Sequence, residues 1–93
     1  MNTFQNHMDG VRGYYVVELS TYMPSTSKYG IVMRAGITGT LGDAKVLAST
    51  MMRRRKDKTD TASIRMEDNG VVYNWNRGAC DFKWSSGSYM EGE

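Results

Sequence analysis

Asn69-Gly70 limits what this chain can fold into more than any other feature. It stands between TASIRMED and VVYNWNR, two stretches that alternate apolar and polar side chains. Asn-Gly readily supplies the two positive-φ residues of a type I′ hairpin turn. A two-residue turn there sets Met66 opposite Tyr73 and Ile64 opposite Trp75. Arg77-Gly78 offers a second, weaker turn of the same length, which sets Trp75 opposite Cys80, Tyr73 opposite Phe82 and Val71 opposite Trp84. Both turns place the apolar side chains on one face. On the other face Arg65, Asn74 and Asp81 form one row and Glu67, Val72 and Lys83 the next, so opposite charges share each row. A slip of one residue would move the whole apolar set to solvent, so the agreement of the two turns predicts a three-stranded meander with one buried and one wet face.

The buried side of such a meander needs a cover, and the sequence provides one helix. Leu41, Ala44, Leu47, Ala48, Met51 and Met52 recur at steps of three and four, the spacing of one helical face. Thr40 followed by Asp43 reads as a capping box with Asp in place of Glu or Gln, and the acid meets the positive end of the helix dipole. Tyr73, Trp75, Phe82, Trp84 and Cys80 are then expected in the core against this helix. A thiol among apolar neighbours is a poor nucleophile.

Upstream, GYYVVELSTY (Gly13 to Tyr22) reads as a strand, with Tyr15, Val17 and Leu19 on one side and Tyr14, Val16 and Glu18 on the other. MPSTS interrupts it with the only proline, after which alternation resumes through Tyr29, Ile31, Met33 and Ala35, a hairpin with a long, flexible tip. The whole predicts an α+β fold of order ββαβββ, a continuous antiparallel sheet with one helix packed on one face. The expected domain runs from 13 to 88, between a mobile tail at 1–12 and a C-terminal tail at 89–93.

Composition bears on what such a domain does. A chain of 93 residues fills one core, and its two Trp, six Tyr and eight Met are enough to pack it. A formal net charge of +2 lacks the overall basic excess of a nucleic-acid coat, so any basic footprint must be local. Cys80 stands alone, which fits a reducing compartment, and no apolar run has the length of a signal peptide or a membrane span. Cytoplasmic residence is expected.

Catalytic groups are scarce. The one His lies in the N-terminal tail and the one Cys in the presumed core, so no base and nucleophile are paired. Asp43, Asp57, Asp60, Glu67, Asp68 and Asp81 are each accounted for by a cap, a turn or a cross-strand partner, and no Cys and His have zinc spacing. Gly36, Gly39 and Gly42 in AGITGTLGDAK match neither the dinucleotide fingerprint nor the P-loop, and Asp43 would repel a phosphate, so a tight strand-to-helix connection is expected. No cofactor, no metal and no enzymatic activity are therefore expected.

Binding residues are the remaining functional signal. In MMRRRKDKTD, Arg53, Arg54, Arg55 and Lys56 fan around the last helical turn, where positive charge also suits the dipole. Arg55 falls in the middle of the apolar arc. Lys45, Ser49, Arg53 and Lys56 share one ridge, to which Lys58 and the hairpin residues Tyr22, Lys28 and Tyr29 add if the hairpin tip lies on the same side. The candidate site is thus Lys45, Arg53, Arg54, Lys56, Lys58, Tyr22, Lys28 and Tyr29.

A hairpin, a TGTLGDAKVLAST helix opening with its AK-x-x-AS face, and then TASIRMEDNGVVYNW resemble the plan of small phage-encoded inhibitors, including some anti-CRISPR proteins. The resemblance spans residues 13 to 84. It implies a stoichiometric inhibitor in the host cytoplasm that occupies a surface of a host protein or nucleoprotein complex. Two other readings compete. One is direct DNA or RNA binding through the basic ridge; the other is a self-associating structural protein, a homodimer built on the partly apolar second face of the first hairpin, Tyr14 and Val16. Tyr and Arg, the side chains enriched in interface hot spots, favour the inhibitor or accessory-factor reading.

Overall fold

A computed structural model of the chain describes residues 10–55, 58–79 and 83–90. Among these residues five strands, β1 (Arg12–Met23), β2 (Lys28–Thr40), β3 (Thr61–Asp68), β4 (Val71–Arg77) and β5 (Ser85–Met90), and one helix, α1 (Leu41–Arg55), follow the order ββαβββ. All strands join one antiparallel sheet of order β2-β1-β3-β4-β5. The N-terminal hairpin and the C-terminal meander therefore fuse where β1 pairs with β3. β1 begins at Arg12 and β5 continues through Met90, so the folded unit extends past both expected boundaries of 13 and 88. Among the described residues no helix is long and apolar enough to cross a membrane.

α1 lies across the face of β1, with β2 and β3 on its flanks. Its Leu41, Ala44, Ala48 and Met51 are buried against Tyr15, Val17 and Leu19 of β1 and Ala62, Ile64 and Met66 of β3. Trp75 completes this core from β4, its ring centroid 6.1 Å from that of Tyr15. Tyr15, Val17, Leu19, Ile64 and Trp75 are fully enclosed. Leu47, Met52, Tyr73 and Trp84 are half-buried and pack on the rim, whereas Phe82 and Cys80 lie outside the described residues.

The strand-to-helix junction has no loop at all: β2 ends at Thr40 and α1 starts at Leu41. The capping box forms as expected. Thr40 N–H donates to Asp43 Oδ2 at 3.0 Å, and Asp43 N–H donates to Thr40 Oγ1 at 3.2 Å. Together they satisfy two amides that the first helical turn leaves open. The Thr40 N–H, the Thr40 hydroxyl and the nearby Arg12 charge hold the Asp43 carboxyl below its ordinary pKa of 3.8, against a smaller opposing effect of desolvation.

Two parts of the first hairpin differ from the sequence expectation. Leu19 pairs with Met33 but Ser20 pairs with Ile31, so Val32 is an extra residue, a β-bulge. The bulge reverses the alternation of β2: Met33, Ala35 and Ile37 face the helix, while Ile31 and Tyr29 face away from it. The tip is also short, not long. Pro24 to Ser27 close a four-residue turn in which Thr26 N–H and Ser27 N–H both donate to the Met23 carbonyl, at 3.1 and 2.9 Å, and Ser27 takes φ 56°. Proline with its fixed φ suits the second position of such a turn.

In the meander, the first turn folds as the sequence dictates. Asn69 and Gly70 have φ 52° and 79°, and Met66 opposes Tyr73 and Ile64 opposes Trp75. The second turn does not. Val71 pairs with Met90, Tyr73 with Ser88 and Trp75 with Ser86, so the chain leaves β4 at Arg77 and returns only at Ser85. Arg-Gly lacks the second positive-φ-tolerant residue that makes Asn-Gly decisive. The shift is an even number of residues, which keeps the inward and outward sides but sets Ser86, Ser88 and Met90 opposite Trp75, Tyr73 and Val71, where Cys80, Phe82 and Trp84 were expected. The expected rows ending in Asp81 and Lys83 therefore do not exist. Asn74 opposes Gly87, and Val72 opposes Tyr89. Val72 itself, on the side read as wet, is fully buried in register between Glu67 and Tyr89.

Candidate binding surfaces

Two surfaces remain once the core is assigned, and they lie on opposite sides of the sheet. The first is the basic end of α1. Arg53 and Arg54 are exposed, but Arg55 is a structural residue: its Nε donates to Asp60 Oδ2 at 2.7 Å, and Asp60 is only 1% exposed. This explains a cation in the middle of the apolar arc. Among the described residues nothing bonds Asp60 Oδ1, so Arg55 is the charge that compensates a buried acid. Beside it, Thr21 and Thr59 share a 2.6 Å hydrogen bond that ties the hairpin to the loop after the helix.

The ridge is less open than its spacing suggested. Lys45 and Ser49 are half-buried, Arg53 Nη2 donates to Thr50 Oγ1 at 3.3 Å, and Arg77 donates to Ser49 Oγ at 3.2 Å. Lys58 is exposed, and Lys56 lies outside the described residues. Arg77 was not among the candidates, since a helix wheel has no means of placing a residue from a strand.

The second surface is the sheet face turned away from α1. It carries Tyr14, Val16, Glu18, Ser20 and Tyr22 from β1, Tyr29, Ile31 and Arg34 from β2, Ser63 and Arg65 from β3 and Tyr89 from β5. Tyr14 is 60% exposed, Tyr29 57%, and Ile31 and Tyr89 52% each. Tyr22 and Tyr29, candidates from the sequence, sit here directly opposite each other with ring centroids 5.5 Å apart, edge to face. They are thus separated from Lys45, Arg53 and Arg54 by the thickness of the sheet, and Lys28 belongs to the inward register at the same tip. The single combined site that the sequence suggested does not form.

Local packing on this outer face is ordered. The Tyr14 ring lies diagonally across the strand pair over Gly36, where any Cβ would run into the phenol. Arg34 Nε bonds Glu18 Oε2 at 2.6 Å. Toward the other end, Ser20, Thr61, Ser63 and Asn76, all short and polar, form the floor of a depression of about 650 Å³ with Tyr29 and Trp84 on its walls. Short side chains in register across three strands create that hollow. Among the described residues no group of three or more His, Cys, Asp or Glu is placed to hold a metal.

Comparison with known protein families, with curated proteins and with solved structures finds no match to this chain.

Proposed function

We propose that this chain is a non-catalytic binding protein that occupies a surface of a larger protein or nucleoprotein complex, in the manner of a small phage-type inhibitor or accessory factor, and that it docks through the outer sheet face. The observation that supports this reading is the set of four tyrosines and Ile31 left on a face that α1 does not cover. Burying aromatic side chains in a partner's pocket, with arginines such as Arg34 and Arg65 beside them, is how interface hot spots are built. The host cytoplasm is the compartment this reading requires.

A second reading, phosphate binding at the helix, has one observation in its favour. Arg77 reaching Ser49 gathers three cations, Lys45, Arg53 and Arg77, around the same helical flank. A cluster of that size would give weak binding that falls steeply with salt.

Affinity capture from host extract separates the two. The Tyr29→Ala, Ile31→Ala variant is expected to lose a partner that wild type and Arg53→Glu both retain. Loss with Arg53→Glu alone, together with salt-dependent retention on heparin, would transfer the function to the helix. A partner retained by both variants would defeat both readings.

A further inference from the structure

The two edges of the sheet are unequal. β2, one edge, is interrupted by the bulge at Val32 and carries Lys28 and Arg34, two devices that discourage strand addition. β5, the other edge, has neither. Its sequence is SSGSYM, with no charge and no proline, and its pairing with β4 runs without irregularity. Among the described residues no strand covers its far side.

Which backbone groups point outward follows from the Asn69-Gly70 turn. Asp68 and Val71 flank a two-residue type I′ turn and so form a hydrogen-bonded pair, after which hydrogen-bonded and open pairs alternate. Along β4, residues 72, 74 and 76 therefore direct their N–H and C=O groups to β5. Their partners Tyr89, Gly87 and Ser85 are occupied by that pairing. Ser86, Ser88 and Met90 must present their backbone groups at the open edge.

We propose that β5 pairs antiparallel with β5 of a second copy, about a two-fold axis through Ser88, joining two five-stranded sheets into one. The register is set by two requirements. Opposed residues must lie on the same face, and the outward residues 86, 88 and 90 must be the hydrogen-bonded ones. Centring on Ser88 pairs Ser88 with itself and Ser86 with Met90, which uses every outward group for roughly six hydrogen bonds. The same register sets Tyr89 opposite the partner's Gly87. An aromatic ring again meets a strand glycine, here directly opposite it, where within the chain Tyr14 reaches Gly36 along the diagonal. A two-fold interface of this kind is self-complementary, and it buries the two large exposed side chains of β5, Tyr89 on one face and Met90 on the other. The contact belongs to the small, weak class of interfaces, below about 1,200 Å² in total.

Sedimentation or light scattering over a concentration series tests it. The wild-type mass should climb from one chain to two as protein approaches about 1 mM. Ser88→Pro removes an outward N–H at an edge that tolerates proline, so it should stay monomeric with an unchanged circular dichroism spectrum. Should that variant fail to fold, cross-linking decides. Across an axis at Ser88 the Cα atoms of a hydrogen-bonded pair lie about 5.5 Å apart, within disulfide range. In a Cys80→Ser background, Ser88→Cys should then oxidise to a covalent dimer at least about tenfold faster than Ser85→Cys. A wild-type monomer throughout the series, a dimer that Ser88→Pro leaves intact, or equal cross-linking rates would overturn the proposal. So would a monomeric wild type from which Ser88→Pro releases a bound host protein, which would give the edge to a foreign strand instead.

Discussion

The two faces of this sheet are built from neighbouring residues of the same strands and do opposite things. On β1, Tyr15, Val17 and Leu19 are sealed under α1, while the adjacent Tyr14 is largely in solvent. Both sets contain tyrosine and valine, so residue type does not tell the faces apart. What differs is the cover. One helix can shield one face, and among the described residues the one helix lies on the inner side. The lesson is that an aromatic-rich strand in a small domain is a core element on one side and a contact element on the other.

Removing inner-face volume has the largest expected effect. Trp75→Ala should cost about 3 to 5 kcal/mol, a large share of the stability of a domain this size, and the variant should unfold at far lower urea than wild type. A loss near zero would mean that the helix side is not the core.

A smaller effect sharpens the contrast within the basic cluster. Arg55→Ala leaves Asp60 buried without its partner and should cost about 1 to 3 kcal/mol, whereas exposed Arg53→Ala should stay within about 0.5 kcal/mol in the same urea titration. Equal effects would return Arg55 to the surface ridge. Substituting Asp60 sharpens the contrast: Arg55→Ala, Asp60→Asn should recover part of the loss.

The smallest expected change is at the helix start. Because Asp43 has a depressed native pKa, its contribution is complete above pH 3.8 and is lost as pH falls through the lower native value. Thermal melts of wild type should show this acid-side decline, and Asp43→Asn should lack that component. An identical acid profile would mean that the capping box contributes nothing.

How much of this was legible in the sequence depended on whether local chemistry alone decided the geometry. Asn69-Gly70 supplies two adjacent residues suited to positive φ between two alternating stretches, and it set the β3–β4 register as expected. Thr40 and Asp43 lie three residues apart on one helix, and their mutual bonds followed. Arg77-Gly78 satisfies half of the turn requirement, and the chain used a longer connection, so the β5 register was misread. The bulge at Val32 left no mark that periodicity detects, since one extra residue turns Tyr29 and Ile31 from apparent core partners of Met33 into surface residues. The split candidate site has the same origin. Tyr22 and Tyr29 are both exposed, but the side of the sheet that Tyr29 takes is set by that bulge, and Asp60 and Arg77 meet the helix only through tertiary contacts.

The exposed side chains of the outer face add little to stability and are left for contact. Urea unfolding of Tyr14→Ser, Ile31→Ser tests this most directly. The account predicts a cooperative transition within about 1 kcal/mol of wild type, since two exposed substitutions each change stability little. A loss approaching that of Trp75→Ala would show that these side chains are structural and would contradict it.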